Sequence, residues 1–286
     1  MANMSPKLQA GLYLVATPIG TASDITIRAL DILEKADVLA AEDTRQARKL
    51  MDIHGIKLNG RPLLAYHDHN GAGVRPRLLD AVREGKSVGY VSDAGTPLIA
   101  DPGYALARDM IAAGLPVTAA PGPSAVLTAL SVAGLPTDRF LFAGFSPTKS
   151  GARLAFLSEF KVVPATLVFY ENPKRLAACF AAMVKVFGPD RPAAMCRELT
   201  KKFEEVRRGS LVELADYYAD VPAPKGEAVI VLGPPAKSTV SDEDIDAALR
   251  GALNDGSVKD AAAEVAEMFN LSRKPLYKRA VELSRE

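Results

Sequence analysis

SVGYVSDAGTPLIADPGYALARDMIAAG, residues 87–114, is the stretch on which the fold turns. SVGYVS is a short apolar run with β-branched residues, and it predicts a buried strand. From Ser92 to Pro97 the chain offers only small, polar, Gly or Pro residues, which stop the strand in a loop. Asp101 and Pro102 suit an N-cap and a first helical position, and Gly114 suits the residue that closes the helix. A strand that hands a small-residue loop to a helix is the unit from which open α/β sheets are made.

The same alternation runs outward in both directions. YLVA (13–16), DVLAA (37–41), LLAY (63–66) and PVTAA (116–120) predict further strands, as do FLFAGF (140–145), ATLVFY (165–170), PAAMC (192–196) and EAVIVLG (227–233). Helices are expected between them: Val74–Glu84 stopped by Gly85, and one opened by Asn172-Pro173 and ended by Gly188. The reading is an α/β architecture with largely parallel sheets in two lobes, residues 11–121 and 122–234, with the loop at Pro121–Ser124 and the turn near Leu135–Asp138 as the places where they divide. After Gly233 the texture changes to a Pro/Ser-rich linker and then helices only, residues 235–286. Asp242–Leu253, Ser257–Phe269 and Ser272–Leu283 are expected as three helices, the last two in helix-turn-helix form. Ala262, Val265, Ala266, Phe269, Leu271, Leu276 and Tyr277 are expected to pack between them.

With 286 residues, 48% hydrophobic and 24% charged, the chain can bury a core without staples. A net charge of +1 means that any nucleic-acid surface must be a local patch. Cys179 and Cys196 have neither metal-ligand nor disulfide spacing, which fits a reducing cytoplasm. No apolar run reaches membrane-spanning length, and MANMSPKLQA lacks the apolar character of a signal peptide. A soluble, cytoplasmic protein with no membrane partner is expected.

In open α/β sheets ligands lie beyond the carboxyl ends of the strands. Four loops there are rich in small residues: Ala16–Gly20, Ser92–Pro97, Pro121–Ala125 and Lys225–Ala228. Such residues let the backbone approach a ligand closely. Asp93, ending a strand, suits a cationic or hydroxyl-bearing ligand better than a phosphate. Neither a P-loop nor a strand-embedded G-x-G-x-x-G is present, which argues against a nucleotide triphosphatase and an ordinary dehydrogenase.

These loops, in the segments LYLVATPIGTASDITIRAL, AEDTR, YHDHN, VSDAGTPLIADPG, PGPSA, FYENPKR, CRELTKKFEE and KGEAVIVL, resemble the tetrapyrrole methylase superfamily, the class III S-adenosylmethionine enzymes. Within it the chain is most similar to the enzymes that methylate a cytidine 2′-hydroxyl in small-subunit (16S) ribosomal RNA. The resemblance implies two α/β lobes with S-adenosylmethionine between them, a helix-turn-helix extension, and a homodimer that acts on the assembled small subunit. It places Pro18, Ile19, Asp93, Ala94, Thr96 and Ile99 beside the cofactor, with Ser124 and Ala125 on the same wall. Tyr170, Glu171, Gly226, Glu227 and Ala228 would approach its adenosyl end. Asp68 stands where glutamate is more usual, and the carboxylate is kept.

Methyl transfer from a sulfonium needs alignment and removal of the acceptor proton, and no metal. Two polar clusters follow successive strands: Glu42-Asp43-Thr44-Arg45 and His67-Asp68-His69-Asn70. Asp43 or His69 is a candidate base and Arg45 a candidate grip on a phosphate or the target nucleotide; an N-cap at Asp43 or Thr44 is the alternative for the first cluster, and an exposed polar loop for the second. Lys174, Arg175, Lys201, Lys202, Arg207 and Arg208, and in the terminal helices Arg273, Lys274, Lys278 and Arg279, are candidate RNA contacts. An ion-pair network around Glu198 and Glu204 competes with that role for the middle group, and a helical cap on the body competes with it for the last. Other acceptors for the same fold are a tetrapyrrole precursor (C-methylation) or, as in diphthine synthase, a protein side chain. A DNA-binding regulator that senses a ligand is a reading of another class.

Overall fold

The structure is a computed structural model that describes residues 7–67, 70–100, 102–236, 242–269 and 271–284. The chain falls into two compact units, one reaching to Pro235 and one starting at Ala236.

The larger unit contains two five-stranded sheets. The first holds β1 (Gly11–Val15), β2 (Val38–Ala41), β3 (Leu63–Ala65), β4 (Ser87–Val91) and β5 (Val117–Ala120), in the order β3-β2-β4-β1-β5. Every pair in it is parallel. The connecting helices are α1 (Ile27–Lys35), α2 (Thr44–Ile53), α3 (Gly71–Arg83) and α4 (Tyr104–Ala112). Because side chains alternate along a strand, one sheet feeds two cores. Leu39, Ala41 and Val91 pack with α1 and α2, whereas Val38, Ala40, Val88 and Tyr90 pack with α3 and α4.

β6 (Phe140–Phe145), β7 (Thr166–Glu171), β8 (Pro192–Arg197), β9 (Glu205–Ser210) and β10 (Ala228–Leu232) form the second sheet, in the order β6-β7-β10-β8-β9. α5 (Ala125–Ala133), α6 (Ser150–Ser158), α7 (Leu176–Phe187) and α8 (Leu211–Asp220) accompany it. Ala228, Ile230 and Leu232 face the core built with α7 and α8, while Val229 and Val231 face α5. α5 follows β5 in sequence but puts Val126, Ala129, Leu130 and Ala133 on the second sheet, so it joins the lobes. Only β6 and β7 run parallel in this sheet; the other three pairings are antiparallel. The expectation of largely parallel sheets therefore holds for the first lobe and is corrected for the second. β9 escaped the sequence reading because EVRRGS is mostly polar. It is an edge strand, and its arginines find partners outside any apolar core.

Helix ends differ from expectation in one instructive place. α4 starts at Tyr104, capped by Gly103 at φ +113°, and not at Pro102. A Cβ on Gly103 would lie 2.5 Å from Tyr90 Cε1, and Tyr90 donates its hydroxyl hydrogen to Pro102 O at 2.8 Å. The expected cap Asp101 lies outside the described residues. α3 begins three residues earlier than expected and carries Pro76 within it.

The smaller unit packs α9 (Asp242–Asp255), α10 (Val258–Phe269) and α11 (Arg273–Leu283) around Leu249, Ala262, Val265, Leu276, Ala280 and Leu283. Ala266 and Phe269 join that core at its edge, but Leu271 and Tyr277 are exposed, contrary to expectation. Its first helix supplies Leu249 in their stead. Among the described residues no helix is long and apolar enough to cross a membrane.

Candidate functional site

The loops after β1, β2, β4 and β5 leave the first sheet at its carboxyl edge, where strand order reverses around β4 and β1. Opposite them lie the ends of β6 and β7 and the start of β10. Between the two sets is a cavity of ≈350 Å³. That is within the usual size of a small-molecule site. Ile19, Asp93, Ala94, Thr96, Ile99, Ser124, Ala125, Tyr170, Glu171, Gly226, Glu227 and Ala228, which the resemblance puts around the donor, all line it. Pro18 does not. It borders a smaller cavity of ≈180 Å³ together with Thr17, Gly20, Gln46, Lys49, Ile53 and Asp93. Asp93 is common to both cavities.

Backbone and small side chains fix the loops. Thr17 and Gly95 exchange two backbone hydrogen bonds, at 2.9 and 3.0 Å. Thr17 Oγ1 donates to Ser92 O at 3.2 Å, Ser92 Oγ to Gly95 O at 3.0 Å, and Thr96 Oγ1 to Pro123 O at 3.0 Å. The same loop holds Leu98 at φ 72° and Ala100 at φ 60°, a left-handed conformation that costs side-chain-bearing residues energy. Such strain persists only where neighbours over-determine the backbone, and it clusters at functional sites. On the far wall, Glu198 (φ 50°) and Thr200 (φ 62°) repeat the pattern. Lys201 Nζ there bridges Glu198 at 2.9 Å and Glu227 at 2.8 Å, and the Glu227 backbone N–H donates to Glu198 at 3.1 Å. Gly226, at φ +102°, passes so close to the Glu198 carboxylate that a Cβ would overlap it.

The lining is acidic. Glu42, Asp93, Glu171 and Glu227 border the cavity, and no Lys, Arg or His does so among the described residues. Glu171 is fully occupied: its buried carboxylate accepts from Ser146 Oγ and from the Asn172 N–H, and it pairs with Arg175 at 2.5 Å. This holds the turn through Asn172 and Pro173, which completes the wall. From sequence those two residues read only as a helix start, and nothing there marks Phe145 or Val229 for the site. Phe145 packs edge-on to Tyr170 at 5.3 Å. Its signal in the sequence was no more than an apolar residue ending a strand.

Asp43 proves to be the N-cap of α2, accepting from the Arg45 N–H at 2.8 Å. Arg45 folds back on it with Nη2 at 2.6 Å from Oδ2. This charge-assisted pairing holds the Asp43 carboxyl down at about 2, a poor proton acceptor near neutral pH. The Asp43 backbone N–H donates to Asp93 Oδ1 at 2.9 Å, so the cap orients the carboxylate that both cavities share. In the second cluster Asn70 closes a turn, accepting from His67 N at 2.9 Å and donating to Ala65 O at 3.0 Å. His69 and Asp68 lie outside the described residues.

The basic residues sort into two groups. Arg175 and Lys201 are consumed by the ion pairs above, and Arg279 by Asp246 and Glu282. Arg273 donates to Lys259 O at 2.9 Å. Arg207 stacks 3.5 Å over the Tyr217 ring, and Arg208 caps the carbonyls of Val132 and Ala133. Lys174, Lys202, Lys274 and Lys278 are exposed and compatible with a phosphate contact.

The family model for Tetrapyrrole (Corrin/Porphyrin) Methylases matches residues 11–215, and the chain belongs to that family. A solved uroporphyrin-III C-methyl transferase from Thermus thermophilus, complexed with S-adenyl homocysteine, shares the fold at a TM-score of 0.52 and 23% identity. The alignment covers 78% of this chain and 97% of that one. Residues 239–284 match the RsmI C-terminal HTH domain. Ribosomal RNA small subunit methyltransferase I of Mesorhizobium japonicum is 49% identical over 276 residues, covering 96% of this chain and 93% of that protein. Its namesake from Mycobacterium tuberculosis is 47% identical, covering 89% of this chain and 88% of that one. Within the methylases, the chain is a member of the ribosomal RNA small subunit methyltransferase I family.

Proposed function

We propose that this protein moves a methyl group from S-adenosylmethionine to a cytidine 2′-hydroxyl of small-subunit ribosomal RNA. The observation that carries the donor's identity is the lining of the larger cavity, which among the described residues has Glu42, Asp93, Glu171 and Glu227 but no Lys, Arg or His; Arg175 and Lys201 pair with Glu171 and Glu227 from outside that lining. S-adenosylmethionine bears an ammonium and a sulfonium, which carboxylates favour, whereas a phosphate-bearing cofactor would be repelled there. Small residues at Ala94, Gly95, Ala125, Gly226 and Ala228 let backbone groups reach a purine and a ribose. Near-full-length similarity to proteins named for ribosomal RNA supports the acceptor over a tetrapyrrole or a protein side chain.

The bound donor supplies an already activated methyl, whose carbon is displaced onto oxygen while sulfur keeps the bonding electron pair. The protein's part is alignment and proton removal. Asp93, bordering both cavities, takes the hydroxyl proton. Asp43 positions Asp93 through its backbone N–H, and Arg45, with a side chain 89% exposed, reaches the nucleotide's phosphate. His69 is a second candidate for the proton. Lys174, Lys202, Lys274 and Lys278 supply sequence-independent phosphate contacts.

The protein acts as a cytoplasmic homodimer on the assembled subunit. The exposed apolar side chains Leu127 and Phe140, and the edge strands β5 and β6, support self-association. Labelled methyl from S-adenosylmethionine should enter unmethylated small subunits. Equal labelling of unrelated RNA, or labelling of protein or tetrapyrrole alone, contradicts the reading.

A further inference from the structure

Resting on that methyl-transfer reading, we infer that the smaller cavity beside Asp93 seats the acceptor base, a single unstacked pyrimidine of RNA. Gln46, Lys49 and Ile53 line it at positions i, i+3 and i+7 of α2, one face of the helix. Pro18 and Gly20 of the loop after β1 form the opposite wall. The walls are fixed in advance: His54 Nε2 lies 3.2 Å from Ala22 O, and the Thr17–Gly95 hydrogen bonds hold the floor. Packing does not account for Ile53, which is 57% exposed, because Ala47 and Met51 seat the helix on its sheet.

The chemistry suits an extruded nucleotide. Ile53 and Pro18 give apolar surfaces between which a ring can lie. The Gln46 amide offers a donor and an acceptor together, which a base edge requires. Lys49 adds a cation for phosphate. At ≈180 Å³ the cavity admits one ring. Its shared Asp93 places the attached ribose toward the larger cavity, and reading the base there explains how one nucleotide is chosen while the exposed lysines bind any RNA.

Gln46→Ala and Ile53→Ala alter exposed side chains without changing charge, so folding and long-range attraction are preserved. Transfer to unmethylated small subunits is measured with each, alongside S-adenosylhomocysteine binding by calorimetry. The expected result is a fall of about tenfold in kcat/KM for the subunit, with S-adenosylhomocysteine affinity held within about twofold. Unchanged kcat/KM in both variants, with the unaltered protein active, overturns the inference and leaves the methyl-transfer reading standing. A parallel loss of S-adenosylhomocysteine affinity also overturns it, assigning the groove to the donor. No transfer by the unaltered protein on any RNA overturns the reading, and the inference with it.

Discussion

At the scale of single residues, the site is decided by how carboxylates are engaged. Asp43 has its carboxyl held at about 2 by Arg45, below the ordinary 3.8. A depressed carboxylate contributes to folding above its unfolded value and loses that contribution only as the pH falls through about 2. Asp43 is therefore ionised throughout the working range, and Asp43→Asn, which keeps the cap and the backbone N–H on Asp93, should change the rate by less than about tenfold and move neither limb of a kcat/KM profile between about pH 5 and 9. A limb that shifts would return the base to Asp43. Gly226 makes a second test. Its φ of +102° and the adjacent Glu198 carboxylate leave no room for a methyl. Gly226→Ala should break the Glu198–Lys201–Glu227 bridge and weaken S-adenosylhomocysteine binding at least about tenfold by calorimetry, with the thermal midpoint changed by only a few degrees. The small-residue loop Lys225–Ala228 makes Gly226 legible in the sequence, and the polar cluster after a strand does so for Asp43. The capping of Asp43 was legible only as an alternative, because an aspartate before a helix suits both a cap and a base.

Strands and helices explain what sequence reading caught and what it missed. β7, β8 and β10 announce themselves by apolar runs, since both faces are covered. β9 does not, because an edge strand keeps arginines that spend their charge on Glu205, a tyrosine face and helix carbonyls. The same cause engages Arg175, Lys201 and Arg279, all expected as RNA contacts, in ion pairs within the protein: sequence gives a residue's charge but not its partner. In α11 the division falls within one helix, with Arg279 bound to Asp246 at 2.7 Å while Lys274 and Lys278 stay exposed. Charge reversal at Lys274 and Lys278 together should weaken binding to small subunits and lessen its salt dependence. Donor affinity should be unaffected. Unchanged subunit binding would make the helical unit a structural appendage.

For the whole molecule, function follows from two sheets whose loop-bearing edges meet across one cavity. The alternation of strands and helices disclosed the α/β class, and the resemblance of SDAGTPLIADPG and its companion segments disclosed the family. The mixed direction of the second sheet stayed hidden, because strand polarity depends on which connections cross over and not on the strands' own composition. The central claim joins an acidic donor cavity to a ribose acceptor. Its most direct test is to incubate the protein with isotopically labelled S-adenosylmethionine and unmethylated small subunits, digest the RNA, and locate the label by mass spectrometry. A labelled 2′-O-methylcytidine at one position is the predicted result. Label on a base, on many nucleotides, or on protein would contradict it.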